Sequence, residues 1–373
     1  MRRQQLFRIF LFILPLVFTG AGWAFTFNQP ATSLQRFLEE NPSQLPLIEQ
    51  FSVRVHSQPI QLVTTYAETQ KIAVVLRDSP DLPPNQAWFF VFKRRMQELN
   101  IDFRLDVFYA PRSAGTASIV QIYEKIQSAD FDYVIVDGVD DYSRPLIERL
   151  LRDDGQQVIL LNSFAPYPDW HLHPPLLYIG TDVSRMMQRL ASLLHRALSE
   201  DTIIDAILSS DEVMDQSRCQ MFLNELNHFD RDVRYRYQSV NSKSEARDVA
   251  NNLLQSVPKD DAQQFIFSCT PEISEGVVAA LEASQSRATT NAWLGQNGLE
   301  NAHQKGLLMV TVLEMKDYMA IAAAEAIKAD MESRLLPRVF SETVTFLTQE
   351  MDQQTRNIIF QQALQYSSTL WPR

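Results

Sequence analysis

Apolar runs of strand length alternate with helical periodicity along most of the chain. Lys71-Ile-Ala-Val-Val-Leu76 is apolar at every position after the lysine, the pattern of a strand buried on both faces. Pro80, Pro83 and Pro84 keep helix out of 77–86. A helix is predicted over about 87–99, where Trp88, Val91, Phe92 and Met96 fall on one face. Strands follow at 102–108, at Tyr133-Val-Ile-Val136 and at Gln157-Val-Ile-Leu-Leu161, with helices over 117–128 and 143–151 between them. Such a βαβαβαβ order builds one parallel sheet, because right-handed crossovers put helices on both of its faces.

Ala165-Pro-Tyr-Pro-Asp-Trp-His-Leu-His-Pro-Pro175 interrupts the pattern with prolines and aromatics, a natural place for the chain to pass between domains. The same alternation then resumes. Strands are predicted at Leu177-Tyr-Ile-Gly180, 203–209, 233–240 and 265–268, and helices over 182–198, 216–226, 242–256 and 273–283. Asn291-Ala-Trp-Leu-Gly295 and the run 306–313 continue it. The fold class expected is α/β, with two doubly wound parallel-sheet lobes that can close about a hinge.

The N-terminus has a different character. Arg2 and Arg3 precede an apolar run over 6–18 broken by Arg8, and Gly22-Trp23-Ala24 places small residues at the cleavage-determining positions. This predicts a secretory signal peptide over 1–24, since the run is short for a membrane-spanning helix. Residues 25–68 read as a helical extension. Ser33 is a capping residue, Asn41-Pro42 stops the first helix, and Phe37, Leu38, Leu47, Ile48 and Phe51 recur at helical spacing. The extension is expected to pack on the first lobe.

A length of 373 residues suits two domains. The formal net charge of −11 argues against nucleic acid or an anionic membrane as partner, because phosphate contacts need clustered Lys and Arg. An exported compartment permits a bridge between Cys219 and Cys269, but a fold this large does not need one. Two buried thiols are the expectation.

In open α/β sheets ligands bind outside the carboxyl ends of the strands. Thr270, Trp293 and Glu314 stand at or just beyond such ends. His171 and His173 lack the Cys or acidic cluster that would complete a metal site and read as loop histidines. No Gly-x-Ser-x-Gly, phosphate loop, Gly-x-Gly-x-x-Gly or His-Glu-x-x-His occurs. The expectation is a binding crevice with no catalyst and no cofactor.

Several stretches resemble the type I periplasmic binding proteins, in particular their LuxP-like, autoinducer-2-binding branch. They are Phe37-Leu-Glu-Glu-Asn-Pro42, Ile72-Ala-Val-Val75, Leu99-Asn-Ile101, Leu161-Asn-Ser163, Leu177-Tyr-Ile-Gly180, Phe265-Ile-Phe-Ser-Cys269, Asn291-Ala-Trp293 and the alanine-rich 322–329. They run collinearly over nearly all of the mature chain. The resemblance implies a periplasmic protein that closes on a small molecule and signals to a membrane sensor kinase, or else delivers solute to an ABC permease. It implies three hinge crossings, placed near 163–172, 292–297 and 314–318. Residues 69–163 plus 295–315 then form the first lobe, and 164–294 plus 316–373 the second.

The resemblance also implies a ligand site. Asn162, Arg218 and Trp293 match residues that contact ligand in that branch, and Thr270 and Glu272 stand at further contact positions with changed side chains. Gln86 and Trp88 are nearby substitutes for a Gln…Trp pair in the first loop. Glu314 stands where the branch has an arginine that pairs with a borate anion. A carboxylate there repels negative charge, so the expected ligand is a sugar, polyol, furanone-like molecule or amine rather than borate-ester autoinducer-2.

Overall fold

A computed structural model describes residues 33–372 apart from 64–67, 112, 154, 164, 212–214, 258–262 and 285. The expected signal peptide over 1–24 lies outside the described residues. The first sheet holds β1 (Gln70–Leu76), β2 (Phe103–Tyr109), β3 (Tyr133–Asp137), β4 (Gln157–Leu161), β5 (Leu177–Thr181) and β11 (Val339–Glu342). Its order is β11-β5-β4-β3-β1-β2, and every pairing is parallel. The unbroken apolar runs have a simple cause. Ile72, Val74 and Leu76 enter one core, with Val91, Phe92 and Met96 of α3 (Pro83–Glu98). Ala73 and Val75 enter the opposite core, with Ile119, Tyr123 and Ile126 of α4 (Thr116–Ser128). Helix α3 begins four residues earlier than about 87, because Pro83 sits in its first turn, where no N–H is needed.

The second sheet holds β6 (Ile203–Ser209), β7 (Val233–Val240), β8 (Gln264–Ser268), β9 (Thr289–Trp293), β10 (Leu308–Glu314) and β12 (Val344–Thr348), in the order β12-β10-β9-β8-β6-β7. Among the described residues, the β10–β12 pairing is antiparallel and the others in this sheet are parallel. Helix α6 (Val183–Ala197) buries Met186, Met187, Leu190, Ala191 and Leu194, a stripe at helical spacing. Helices α8 (Lys243–Gln255) and α9 (Pro271–Ala283) approach so closely that a Cβ at Gly276 would collide with the carbonyl of Lys243.

The lobes are discontinuous, but their boundaries differ from the sequence expectation. Among the described residues the chain passes between sheets between Thr181 and Val183, between Glu314 and Lys316, and between Glu342 and Val344. The proline-rich stretch does not cross, because Trp170 is buried in a first-lobe core with Tyr178. Residues 308–314 pair with β9 and belong to the second sheet, not the first. Conversely, α11 (Lys316–Met331) belongs to the first lobe. Met319, Ile321, Ile327 and five alanines are buried in one core with Ile72 and Phe92. Small alanine side chains let α11 lie close to α3, and Arg95 of α3 pairs with Glu325 at 2.6 Å in the contact. Helix α12 (Gln353–Ala363) and Trp371 share a core with Leu313 and Leu347 of the second sheet, which Ala87 of α3 joins from the first lobe.

The extension forms α1 (Leu34–Glu40) and α2 (Gln44–His56). Ser33 Oγ accepts from Arg36 N at 3.2 Å, so the cap read from sequence is formed. Phe51 and Val55 of α2 are fully buried in the first-lobe core, with Phe51 edge-on to Phe340 at 5.6 Å. Arg95 Nη2 also donates to the carbonyls of Arg54 and Ser57, at 3.3 and 3.1 Å, which ties the end of α2 to α3.

Candidate ligand site

The carboxyl ends of β8, β9 and β10 bring Ser268, Trp293 and Glu314 to one edge of the second sheet. After β6 the chain enters a π-helical turn, Asp215–Gln220, that carries Arg218 and Cys219. Single π turns recur at functional sites because the wider turn re-aims a side chain. Cys219 and Cys269 are bridged, with Cα atoms 5.6 Å apart. This corrects the expectation of two thiols: both residues are fully buried beside each other, where packing brings the strand end and the π turn together. The bridge fastens the segment bearing Arg218 to the end of β8.

Arg218 lies over the indole of Trp293, its guanidinium carbon 4.7 Å from the ring centroid. Trp293 Nε1 donates to the carbonyl of Ser268 at 2.7 Å, and Asn291 Nδ2 donates to the same oxygen at 2.9 Å. Trp293 is only 1% exposed. It is therefore a platform beneath Arg218 rather than an open stacking face, because its N–H is used and one face is covered.

Glu314 is buried and bound on both oxygens. Arg218 Nη2 pairs with Oε1, and Lys316 Nζ lies 2.5 Å from Oε2. Burial alone would raise the carboxyl pKa, but Lys316 and Arg218 outweigh it and hold the value at about 2. The expectation of a free carboxylate facing ligand is corrected here. The charge of Glu314 is compensated twice, and the triad as a whole is cationic. Lys316 opens α11 across the hinge crossing, so the triad also ties the two lobes at that crossing.

The remaining sequence candidates form other groups. Thr270 caps α9, its Oγ1 accepting from Ile273 N at 3.3 Å, and exposed Glu272 lies in that helix's first turn. Asn162, on the first lobe, is exposed and left-handed at φ 51°, and its Nδ2 donates to Asp137 Oδ1 at 2.5 Å. Trp88 stacks on Phe92 at 4.9 Å within α3, so it is half-buried against the first-lobe core, whereas Gln86 is exposed. Arg218 thus contacts both Trp293 and Glu314, while Asn162, Gln86 and Trp88 sit on the first lobe.

Three charged residues at the strand ends escaped sequence reasoning. Arg77, directly after β1, lies 3.1 Å from both Asp140 Oδ2 and Ser143 Oγ. Asp137 closes β3 and holds Asn162. Lys316 completes the Glu314 triad. The available signal was position: each follows or ends a strand at its carboxyl terminus, where ligands of such sheets bind.

No protein-family model matches the chain. Its structure is similar to a periplasmic ribose ABC transporter protein from Conexibacter woesei, with a TM-score of 0.64 and 13% identity over 78% of this chain and 95% of the other. It is also similar to an ABC transporter periplasmic solute binding protein from Actinobacillus succinogenes with bound D-allose, with a TM-score of 0.62 and 19% identity over 78% and 100%. The fold is that of the type I periplasmic binding proteins. A third similar structure is the XylFII–LytSN complex, with a TM-score of 0.57 and 14% identity over 76% and 97%. Each solved chain is matched almost completely, so this chain carries segments beyond the shared fold. No helix among the described residues is long and apolar enough to cross a membrane.

Proposed function

We propose that this is a periplasmic binding protein that closes its lobes on a neutral sugar or polyol and reports occupancy to a membrane receptor of the sensor-kinase kind. The observation that carries the ligand class is the compensated Glu314, whose two oxygens are taken by Arg218 and Lys316. A free buried carboxylate would favour an amine. A satisfied one leaves the surplus N–H groups of Arg218 and Lys316 as donors, which suit hydroxyl lone pairs. Asn162 and Gln86 on the first lobe, with Thr270 and Glu272 on the second, complete a polar lining of the kind that orients a polyhydroxylated molecule. Trp88 and Trp293 act as supports for those walls.

Solute delivery to an ABC permease is the second reading, favoured by likeness to binding proteins of ribose and allose transport. The receptor reading draws on the segments this chain has beyond the shared fold, and on the XylFII–LytSN complex as a binding-protein fold solved with a partner. Mass spectrometry of small molecules released from protein purified from its own host tests the ligand class. The expected result is one neutral polyhydroxylated compound near stoichiometric amount. An amine in its place would contradict the reading.

A further inference from the structure

The N-terminal extension reaches two of the three hinge crossings through one residue. His56, the last residue of α2, places Nε2 3.4 Å from Glu342 Oε2, and its ring packs on Tyr318 at 4.3 Å between centroids. Glu342 is the last residue of β11, and Thr343 alone separates it from β12 in the other lobe. Its other oxygen, Oε1, accepts from Thr343 N at 2.8 Å and Thr343 Oγ1 at 3.2 Å, so this carboxylate organises the crossing peptide itself. Tyr318 lies in the first turn of α11, just past the crossing at Glu314–Lys316.

Glu342 Oε2 is buried and has no hydrogen-bond partner in this structure, and the His56 ring is the cation-capable group facing it. A buried carboxylate oxygen without a donor is costly. A protonated imidazolium drawn onto it supplies both charge and donor; a neutral imidazole with its proton on Nδ1 supplies neither. The surroundings favour that neutral tautomer, because Nδ1 faces the Ser52 carbonyl at 2.7 Å and only an Nδ1–H can donate to it. Around the ring stand Glu342 from β11, Tyr318 from α11 with Asp317 beside it, and the Ser52 carbonyl and hydroxyl of its own helix. Arg95 of α3 binds the carbonyls of Arg54 and Ser57, which flank His56, and so holds the helix end in place.

We infer that His56 is a pH-sensitive brace by which the N-terminal extension sets the stiffness of the hinge. Protonated, it holds Glu342 and the crossing at Thr343 in the arrangement described here. Deprotonated, it releases them, and the lobes sample a wider range of separations. The Glu342 carboxylate facing Nε2 raises the His56 pKa against the lowering effect of its partial burial, so the brace is set below the ordinary value of 6.5 and lost as pH rises past the raised one. The inference rests on lobe motion as read above, but not on any ligand.

The test is the distribution of inter-lobe distances in ligand-free full-length protein, from spin labels placed on exposed positions of each lobe. In the wild type it should be narrow at pH 6 and broaden by pH 9. His56→Gln should show the broad distribution at both pH values, and Glu342→Gln should likewise lose the pH response. The His56 titration followed by NMR adds a readout that a purely structural role would not move: its midpoint should fall in Glu342→Gln. A pH-independent distance in the wild type, or an unshifted His56 titration in Glu342→Gln, overturns the brace. Ligand-driven closure is read separately at fixed pH, so its failure would count against the proposed function instead.

Discussion

Glu314 and Lys316 pair at 2.5 Å across a hinge crossing, the carboxylate on the last residue of a second-lobe strand and the ammonium on the first residue of a first-lobe helix. Arg218, seated on Trp293, completes the group from the π turn. The proposed ligand site and the hinge therefore share a side chain, and a ligand that engaged Arg218 or Lys316 would act on the crossing directly.

Acid should dismantle this group in a defined window. The Glu314 pKa is depressed from 4.5 to about 2, so its stabilisation is fully present above 4.5 and is lost as pH falls toward 2. Glu314→Gln should flatten the stability–pH curve measured by chemical denaturation between those values. At neutral pH the same variant should cost about 2–3 kcal/mol, because it leaves two half-buried cations uncompensated. Glu314→Arg, which adds a third cation, should cost at least as much.

Trp293→Ala should lower stability by about 3–5 kcal/mol, the range for emptying an aromatic from a core. It should also weaken ligand binding by freeing Arg218. Trp293→Phe keeps a ring face but loses the N–H donated to Ser268. It should cost about 1 kcal/mol, the net worth of one hydrogen bond, because Asn291 still donates to the Ser268 carbonyl, with a several-fold loss of affinity by calorimetry.

Reduction of Cys219–Cys269 should lower stability by up to about 4 kcal/mol, as expected from loop-closure entropy for a separation of 50 residues. It should weaken ligand binding as well, since the bridge fixes the turn that carries Arg218. The check is a denaturation curve and a calorimetric titration, each with and without reductant.

Much of the fold was legible because its strands are buried on both faces. Ile72 to Leu76 read as a strand for the same reason that it splits its side chains between two cores. The lobe boundaries were not legible. A single residue, Thr343, separates strands that belong to different sheets, and nothing local distinguishes them. Helix α11 is buried nearly all round, so it shows no polar stripe to say which lobe it joins. At the site, Trp293 and Glu314 could be picked out from their positions at strand ends, and Arg218 only through the family resemblance. Their mutual pairing could not, because Arg218 and Glu314 meet only through tertiary contact.

The most direct test of the central claim is a calorimetric titration of the wild-type protein with neutral sugars and polyols, sugar acids, amines and autoinducer-2, each with and without borate. Binding confined to neutral polyhydroxylated compounds and indifferent to borate is the predicted result. Tight binding of an amine would mean that Glu314 is available to ligand after all. Tight, borate-dependent binding of autoinducer-2 would mean that the surplus charge of Arg218 and Lys316 recruits an anion. Either outcome would contradict the account.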